Sequence, residues 1–155
     1  MRALPIETEC VEYKEAKLPP PLARVADRVD FWQADACNLK PIFTGYDLVT
    51  AFNLIDRLYD PAAFLTLIAE RVNPGGLLVL ASPYTWLEEY TKKERWLGGF
   101  KGTDGETFTT LDGLHRSLDE SFEFVSGPEA IPFVIRETRR KFQHTLSEMT
   151  IWRRR

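Results

Sequence analysis

Residues 46–81 read YDLVTAFNLIDRLYDPAAFLTLIAERVNPGGLLVLA, and this stretch decides the fold class. Its apolar runs at 46–52 and 76–81 predict two strands, and residues 61–72 between them place apolar side chains at helical spacing. Two apolar strands joined by a helix predict a β-α-β unit in a parallel sheet that is buried on both faces. The stretch therefore predicts an α/β fold.

The borders of the helix are also marked in the sequence. Asp60 and Pro61 are typical of an N-cap and a first helical turn. The residues Asn-Pro-Gly-Gly at 73–76 predict the end of the helix, because glycine and proline do not continue it.

Upstream of this unit the pattern is weaker. Residues 1–21 predict an extended appendage that ends in a proline run, and residues 22–27 predict a helical turn. Residues 29–34 are short and β-prone, which predicts a strand. Phe31 and Trp32 lie in it and are interpreted as core residues, although each could offer a stacking face to a ligand.

Downstream, residues 84–104 are too polar for core and too aromatic for a linker, which predicts a lid or a pocket wall. Thr110 is the predicted N-cap of a helix over residues 111–118. Alternating apolar and polar residues then predict further strands, the last two as an antiparallel pair that closes the sheet. These strands are 122–125, 133–139 and 146–153.

The composition bounds the class of protein. The 155 residues are 44% hydrophobic and 28% charged, which is typical of one globular domain spanning 1–155. A net charge of −3 gives no field that attracts nucleic acid and favours a small-molecule substrate. Cys10 and Cys37 lack metal-ligand spacing, and no apolar run is long enough to span a bilayer. We therefore expect a cytoplasmic protein without a metal.

The chain contains, in this order, DFWQADA at 30–36, YDLV at 46–49 and NPGGLLVL at 73–80. These segments resemble the middle and late motifs of class I S-adenosylmethionine-dependent methyltransferases. Together they place an acidic residue at one strand end with a second strand end beside it, where doubly wound sheets bind ligands. The resemblance implies a Rossmann-like sheet and S-adenosylmethionine (SAM) as cofactor.

Four longer motifs narrow the resemblance: NLIDRLYDP at 53–61, SPYTWLEE at 82–89, WLGGF at 96–100 and RETRRKFQH at 136–144. They resemble the 4-mercaptohistidine N1-methyltransferases of ovothiol biosynthesis, a family that forms the C-terminal domain of ovothiol synthase. The similarity covers nearly the whole chain. It implies methyl transfer to an imidazole nitrogen of 4-mercaptohistidine, also called 5-thiohistidine.

The chain departs from this family at its start. Family members carry, upstream of these motifs, a strand with a glycine-rich turn and a second strand that ends in a ribose-binding acid. Here Gly98-Gly99 and Gly102 follow no predicted strand and open no immediate helix. Each charge-assisted contact to a cofactor is worth about 1.5–3 kcal/mol. We therefore expect a sheet without its first strands and glycine-rich loop, and poor SAM binding.

Polar residues at predicted strand ends are the candidates for cofactor binding. Asp35, followed by Ala36, can accept a hydrogen bond from the adenine amino group, a role that the resemblance also implies; the alternative is a helix N-cap. Asn53 would face the sulfonium and the nucleophile and orient them, or else bond its own backbone as a loop residue. Asp56 and Arg57 are interpreted as an exposed ion pair of little energetic importance.

The candidates for substrate binding and proton transfer lie further downstream. Tyr84 and Trp86 could grip a flat imidazole, or could simply pack a long loop. Arg136 and Arg139 can clamp the carboxylate of an amino acid, or can form a basic strand edge. His144 could remove a proton during methyl transfer, because histidine titrates near neutral pH, or could be a surface residue.

A second class of function stays open. A methyltransferase-like chain without its first strands could be a non-catalytic remnant or a partner subunit. It would then self-associate or pair with another chain that supplies the missing strands. No partner among nucleic acids or membranes is expected in either case.

Overall fold

The computed structural model describes residues 2–5, 11–14 and 18–155. The chain forms two compact units. The first contains the chain up to Gln33 together with Phe133–Thr145, and the second contains Ala34–Pro132 and Leu146–Arg155. That these units make one domain stays a prediction.

The first unit contains two short antiparallel strands, β1 (Arg2–Pro5) and β2 (Val11–Lys14), and a one-turn helix, α1 (Pro20–Ala23). A 3₁₀ turn at Ala26–Arg28 follows α1, so the predicted helical turn is present as two short turns. The rest of the predicted appendage, residues 1, 6–10 and 15–17, lies outside the described residues.

The second unit is built on a sheet in the order β3-β4-β8-β7. Strand β3 runs parallel to β4, and β8 runs antiparallel to β4 on its other side. Two helices and a small β5–β6 hairpin accompany the sheet. The elements are β3 (Tyr46–Phe52), α2 (Pro61–Ala69), β4 (Val72–Ser82), β5 (Phe100–Lys101), β6 (Thr107–Phe108), α3 (Thr110–Leu118), β7 (Phe122–Arg136) and β8 (Phe142–Arg154).

The predicted β-α-β unit is confirmed as β3-α2-β4. Asp60 caps α2, its carboxylate accepting a hydrogen bond from the N–H of Ala63 at 3.1 Å. The helix ends three residues earlier than predicted, because the chain turns directly into β4. The carbonyl of Arg71 accepts from the N–H of Tyr46, and Val72 already pairs with Tyr46 in the parallel ladder.

One face of the sheet is the core of this unit. Leu65 of α2 and Leu114 of α3 are fully buried there, as is Trp152 of β8. The prediction that the parallel strands are buried on both faces is wrong for β3, where Leu48 is 56% and Phe52 is 57% exposed. Strand β3 is the edge strand of the sheet. Helices α2 and α3 cover the sheet face opposite to the one that carries Leu48 and Phe52.

The predicted strand at 29–34 is not formed. Phe31 is 93% and Trp32 is 66% exposed, so their interpretation as core residues is also wrong. Among the described residues no strand lies beside this segment to complete a ladder. A β-prone sequence without a hydrogen-bonding partner has no reason to stay extended as a strand.

Two predictions downstream also need correction. The predicted strand 122–125 and residues 133–136 of the predicted strand 133–139 belong to one strand, β7, which continues through Pro128 and Pro132; residues 137–139 lie beyond its end. Strand β7 is an edge strand, where proline is tolerated because it can turn its missing donor away from the neighbouring strand. The predicted final strand lies within β8, which is the neighbour of β7 in the sheet. Residues 137–141 connect the two strands, and this connection is too short for the crossover that a parallel pair needs. Strands β7 and β8 are therefore antiparallel, as expected.

The N-cap of α3 is Thr109, not Thr110 as predicted. The Thr109 hydroxyl accepts from the N–H of Asp112 at 3.1 Å, and the Asp112 carboxylate accepts from the N–H of Thr109 at 2.8 Å. This reciprocal capping box satisfies two donors at the helix start. Thr110 instead lies inside the helix, where its hydroxyl accepts from the indole of Trp86.

The substitution Thr109→Ala is expected to lower the free energy of unfolding by about 1 kcal/mol, because it removes one half of the capping box. Urea denaturation followed by circular dichroism measures this change. Thr103→Ala, in an exposed turn without a cap, is the control and should unfold like the wild type. Equal midpoints for the two variants would contradict the assigned cap.

Candidate functional site

Polar residues gather where the parallel strands β3 and β4 end. Asn53 follows β3 and Tyr84 follows β4, and both have a φ angle of 51°. Non-glycine residues seldom adopt this left-handed conformation, and they do so most often at functional sites and in turns. Strand β8 also reaches this end of the sheet, because its residue Glu148 pairs with Ser82, the last residue of β4. This is the end of an α/β sheet at which ligands bind.

Asn53 is fixed by two hydrogen bonds. Its backbone N–H donates to the carbonyl of Ala81 at 2.6 Å, and its side-chain Oδ1 accepts from the hydroxyl of Ser147 at 2.7 Å. The side chain is therefore held by β8 and is not bonded to its own backbone, the alternative that the sequence left open. Asn53 remains exposed at the end of β3.

Asp56 is buried, so its interpretation as half of an exposed ion pair is wrong. Its side chain is 1% exposed, against 36% for Arg57. Oδ2 accepts from the backbone N–H of Thr85 at 2.9 Å, from the Thr85 hydroxyl at 3.0 Å and from Arg57 at 3.0 Å. Oδ1 is buried and has no hydrogen-bond partner. The carboxylate thus anchors the loop after β4 and keeps one oxygen unused.

Tyr84 and Glu148 supply two more buried polar atoms. The Tyr84 hydroxyl and Glu148 Oε1 each lack a hydrogen bond of good geometry. The two groups are nevertheless close together. Burial is the main reason why the pKa of Tyr84 lies far above its usual value. The charge of Glu148, the closeness of Glu148 to the hydroxyl and the charge of Asp56 raise this pKa further. The phenol therefore stays protonated between two carboxylates. We call Asp56, Tyr84 and Glu148 the acidic crevice.

A cavity of about 300 Å³ opens beside the acidic crevice. Its walls come from the middle of β7 and from the part of β8 that carries Glu148 and Ser147. The lining residues are Pro128, Glu129, Ala130, Leu146, Ser147 and Glu148. The crevice therefore has a space next to it that a small ligand can enter.

The predicted lid or pocket wall, residues 84–104, is partly packed into the core. Trp86 is 9% exposed and stacks on Trp96 with ring centroids 6.4 Å apart. Its indole N–H donates to Thr110 at 3.0 Å. The segment also lines a second cavity of about 260 Å³ with α3, at Trp96 and Arg116. Of the two aromatic residues predicted to bind the substrate, Tyr84 lies at the strand ends and Trp86 lies inside the core.

Asp35 caps a 3₁₀ turn at Ala36–Asn38, which was the alternative to its cofactor role. Oδ1 accepts from the N–H of Cys37 at 2.9 Å, and Oδ2 accepts from the hydroxyl of Tyr59 at 2.9 Å. This hydrogen bond is the main reason why the pKa of Tyr59 rises to about 12. Asp35 is exposed, and a carboxylate has about four lone-pair sites, so it can accept a further hydrogen bond.

The remaining predicted site residues lie in the first unit. Arg136 donates through Nε to the carbonyl of Thr138 at 3.1 Å and lies over the ring of Phe142, whereas Arg139 is exposed. His144 is an exposed residue of β8. Their roles in binding the substrate and removing a proton stay predictions.

No cluster of three or more histidine, cysteine, aspartate or glutamate side chains that could hold a metal occurs in the described part of the chain. Cys37 is buried, and burial raises the pKa of its thiol, whereas Cys10 lies outside the described residues. None of the helices at 18–155 is long and apolar enough to cross a membrane.

Comparison with solved structures shows the fold. The chain is similar to a protein from work on the conversion of a disulfide bond into a thioacetal group during echinomycin biosynthesis, with a TM-score of 0.54 and 16% identity. The match covers 85% of this chain and 59% of that protein. A structure described as a SAM-dependent methyltransferase from Methanosarcina mazei gives 0.49 and 20% identity over 86% of this chain and 76% of the other.

At these identities the likeness shows a shared mixed α/β fold and nothing about the reaction, and the second TM-score is too low to support an argument. No protein-family model and no curated protein sequence matches the chain. The α/β class predicted from residues 46–81 is confirmed.

Two residues of the crevice were not among the sequence candidates. Glu148 has the same strand phase as Thr150 and Trp152, both buried, and this alternation marks it as pointing inward. A carboxylate in the inward phase of a strand is the signal that could have identified it. Asp56 gave no such signal, because the neighbouring Arg57 made an exposed pair the simplest interpretation.

Spectrophotometric titration of the phenols tests the geometry around Tyr84 and Tyr59. Both are expected to ionise above the usual pKa of 10, so Tyr84→Phe and Tyr59→Phe should each remove a late-ionising phenol from the native titration. A raised pKa in the folded state adds stability that is fully present below pH 10 and is lost as pH rises further. An unchanged late phase in Tyr84→Phe would contradict its position between Glu148 and Asp56.

Proposed function

We propose that this chain is a SAM-dependent N-methyltransferase that acts on an imidazole nitrogen of 4-mercaptohistidine (5-thiohistidine), in ovothiol biosynthesis. The observation that carries the proposal is the set of polar groups at the ends of β3 and β4, where Asn53, Tyr84 and two carboxylates converge. The α/β fold and the resemblance of the long motifs support it.

The described residues fit two parts of the cofactor. The exposed carboxylate of Asp35, beside Ala36, keeps lone pairs that would accept from the adenine amino group. Asn53, exposed at the strand end, would lie at the reacting end. When bound, SAM supplies the methyl group as an electrophile already attached to a good leaving group. None of the residues at 18–155 is assigned to the ribose or to the methionine carboxylate.

The task of the chain is then to orient the substrate and to exclude water. Asn53, held by Ser147, would fix the direction of the incoming ring nitrogen. Tyr84 would contact the ring. The roles predicted from sequence for Arg136 and Arg139 in binding the substrate carboxylate, and for His144 in accepting a proton, belong to residues of the first unit and stay predictions.

Methyl transfer by the purified chain tests the proposal. SAM with a methyl isotope label and 5-thiohistidine are incubated with the chain, and mass spectrometry detects the labelled product. Asn53→Ala is expected to reduce the rate about 10²-fold, because misplacing the nucleophile by about 1 Å has an effect of that size. Glu120→Ala, in an exposed turn after α3, is the control. Absence of labelled product together with absence of SAM binding in calorimetry would refute the proposed activity.

A second candidate function, that of a non-catalytic methyltransferase-like remnant or partner subunit, is favoured by one observation. The edge of β3 is unpaired in the described structure, and Leu48 and Phe52 are more than half exposed beside it. Exposed apolar strand edges favour pairing with another chain. Sedimentation analysis of the wild type and of Leu48→Lys tests this: association that the lysine abolishes, without SAM binding, would favour the subunit.

A further inference from the structure

We propose that the acidic crevice is the binding site for the N–H edge of an aromatic nitrogen heterocycle, with Glu148 as the group that accepts its proton. This inference rests on the proposed function and deepens it, since it names the groups that select the nucleophile. It assigns proton removal to Glu148 in place of His144. It also adds Asp56 and Glu148 to the site, which the sequence did not.

The first argument is the unused hydrogen-bonding capacity of the crevice. Asp56 Oδ1 is buried and lacks a partner, and the Tyr84 hydroxyl and Glu148 Oε1 are buried close to each other without a hydrogen bond of good geometry. Buried polar atoms that are not fully satisfied are rare in native proteins, because each loses its hydration without full compensation. Three of them on neighbouring residues at this strand end indicate a ligand that supplies a further partner. Asp56 makes the strongest case, with a side chain that is 1% exposed.

The second argument is the chemistry that these three atoms demand. Ionised carboxylates only accept hydrogen bonds, so the ligand must donate them. Two carboxylates at one site repel a phosphate or a carboxylate, and they favour a neutral or cationic N–H group. The phenol of Tyr84 adds a flat ring face and a hydroxyl, which suit a planar heterocycle better than an alkyl ammonium group. An imidazole combines a planar ring with one N–H donor, which Glu148 can accept.

The third argument separates the two carboxylates by role. Asp56 Oδ2 already accepts from Thr85 and Arg57, so its charge is balanced and its position is fixed. The group beside the Glu148 carboxylate is the neutral Tyr84 hydroxyl, and Glu148 lines the cavity through which a ligand can enter. Glu148 is therefore the carboxylate free to take a proton. Asp56 acts as a positioning residue through the loop that carries Tyr84.

The proton balance of the reaction is simple. One ring nitrogen forms the new N–C bond with its lone pair, while the C–S bond of the methyl donor breaks and sulfur keeps that electron pair. The other ring nitrogen carries the N–H that points at Glu148. Its proton passes to Oε1, which leaves a neutral N-methyl imidazole and a protonated glutamic acid that solvent then deprotonates.

Binding of imidazole itself to the full chain, without SAM, tests the site. Heteronuclear NMR titration is expected to show saturable binding to the wild type, and Glu148→Gln should weaken it about tenfold or more, because a charge-assisted hydrogen bond is lost. Glu123→Gln removes an exposed carboxylate of β7 and should bind like the wild type. Circular dichroism confirms that the variants fold. Tyr84→Phe should also weaken imidazole binding, because it removes the hydroxyl of the crevice. This second variant keeps the test decisive if Glu148→Gln does not fold.

Several outcomes decide the proposal. Equal imidazole binding by wild type and Glu148→Gln would overturn it, and so would methylammonium binding as tightly as imidazole. In the active enzyme, Glu148→Gln should change the pH profile of kcat and His144→Ala should not. If imidazole binds through Glu148 but no methyl transfer occurs, the site stands and the proposed function fails. If methylation proceeds normally in Glu148→Gln, the proposed function stands and this inference fails.

Discussion

Gly113→Ala is expected to destabilise the chain by roughly 3 kcal/mol or more, although it replaces glycine by the best helix former inside α3. A Cβ atom at position 113 would overlap the carbonyl oxygen of Leu97. That oxygen belongs to the backbone, so no rotamer change relieves the clash. Helix propensity alone would add about 1 kcal/mol of stability, so the sign of the change decides between the two effects.

Urea denaturation at constant m-value measures the change in the free energy of unfolding. Gly105→Ala is the matched control: it has a φ of +84° but nothing within 4 Å of the added Cβ, so only backbone strain of about 1 kcal/mol is expected. A Gly113→Ala variant as stable as the wild type would show that Leu97 does not pack on α3 as described.

The same contact explains how the loop after β4 is held. Gly98 makes the reciprocal approach, since a Cβ there would overlap the backbone of Thr109. The two glycines let residues 97–98 pack directly against the start of α3, beside the capping box. This packing fixes the loop that begins with Tyr84 and contains Trp86, and thereby links the stability of α3 to the acidic crevice.

The sequence predicts those parts of the fold that depend on local periodicity. The helix α2 and the strands β3 and β4 carry their own apolar patterns, and their parallel pairing follows from the connection between them. Where an element depends on a distant partner the prediction fails. Residues 29–34 have the composition of a strand and form none, because no described strand lies beside them. The burial of Leu48 was likewise predicted from a pattern that cannot show which strand is the edge.

The candidate site divides in the same way. Asn53 and Tyr84 could be found because they directly follow predicted strands, and strand ends are where such sheets place polar groups. Glu148 comes from the far end of the sequence and reaches the crevice only through the pairing of β8 with β4. Asp56 lies in a 3₁₀ turn whose orientation depends on Thr85. Contacts over 29 and more residues are tertiary, and no local pattern contains them.

The substitution Asp56→Ala is expected to lower the free energy of unfolding by roughly 2–3 kcal/mol. It removes the charged acceptor of the Thr85 N–H and of the Thr85 hydroxyl, and a hydrogen bond to a charged group is worth about 1.5–3 kcal/mol. The loss is larger than for a surface ion pair, whose removal typically costs about 0–1 kcal/mol. Chemical denaturation distinguishes a buried anchoring carboxylate from an exposed ion pair, because removing an exposed pair should leave the free energy of unfolding almost unchanged.

Asp56→Asn separates this structural role from the role in binding. An asparagine can still present an oxygen to Thr85, so most of the stability should return. Because Asp56 acts through the loop that carries Tyr84, imidazole binding should follow stability: it should be near the wild-type value in Asp56→Asn and weaker in Asp56→Ala. A tenfold loss of imidazole binding in Asp56→Asn at nearly unchanged stability would show that Oδ1 contacts the ligand directly, and would contradict the positioning role.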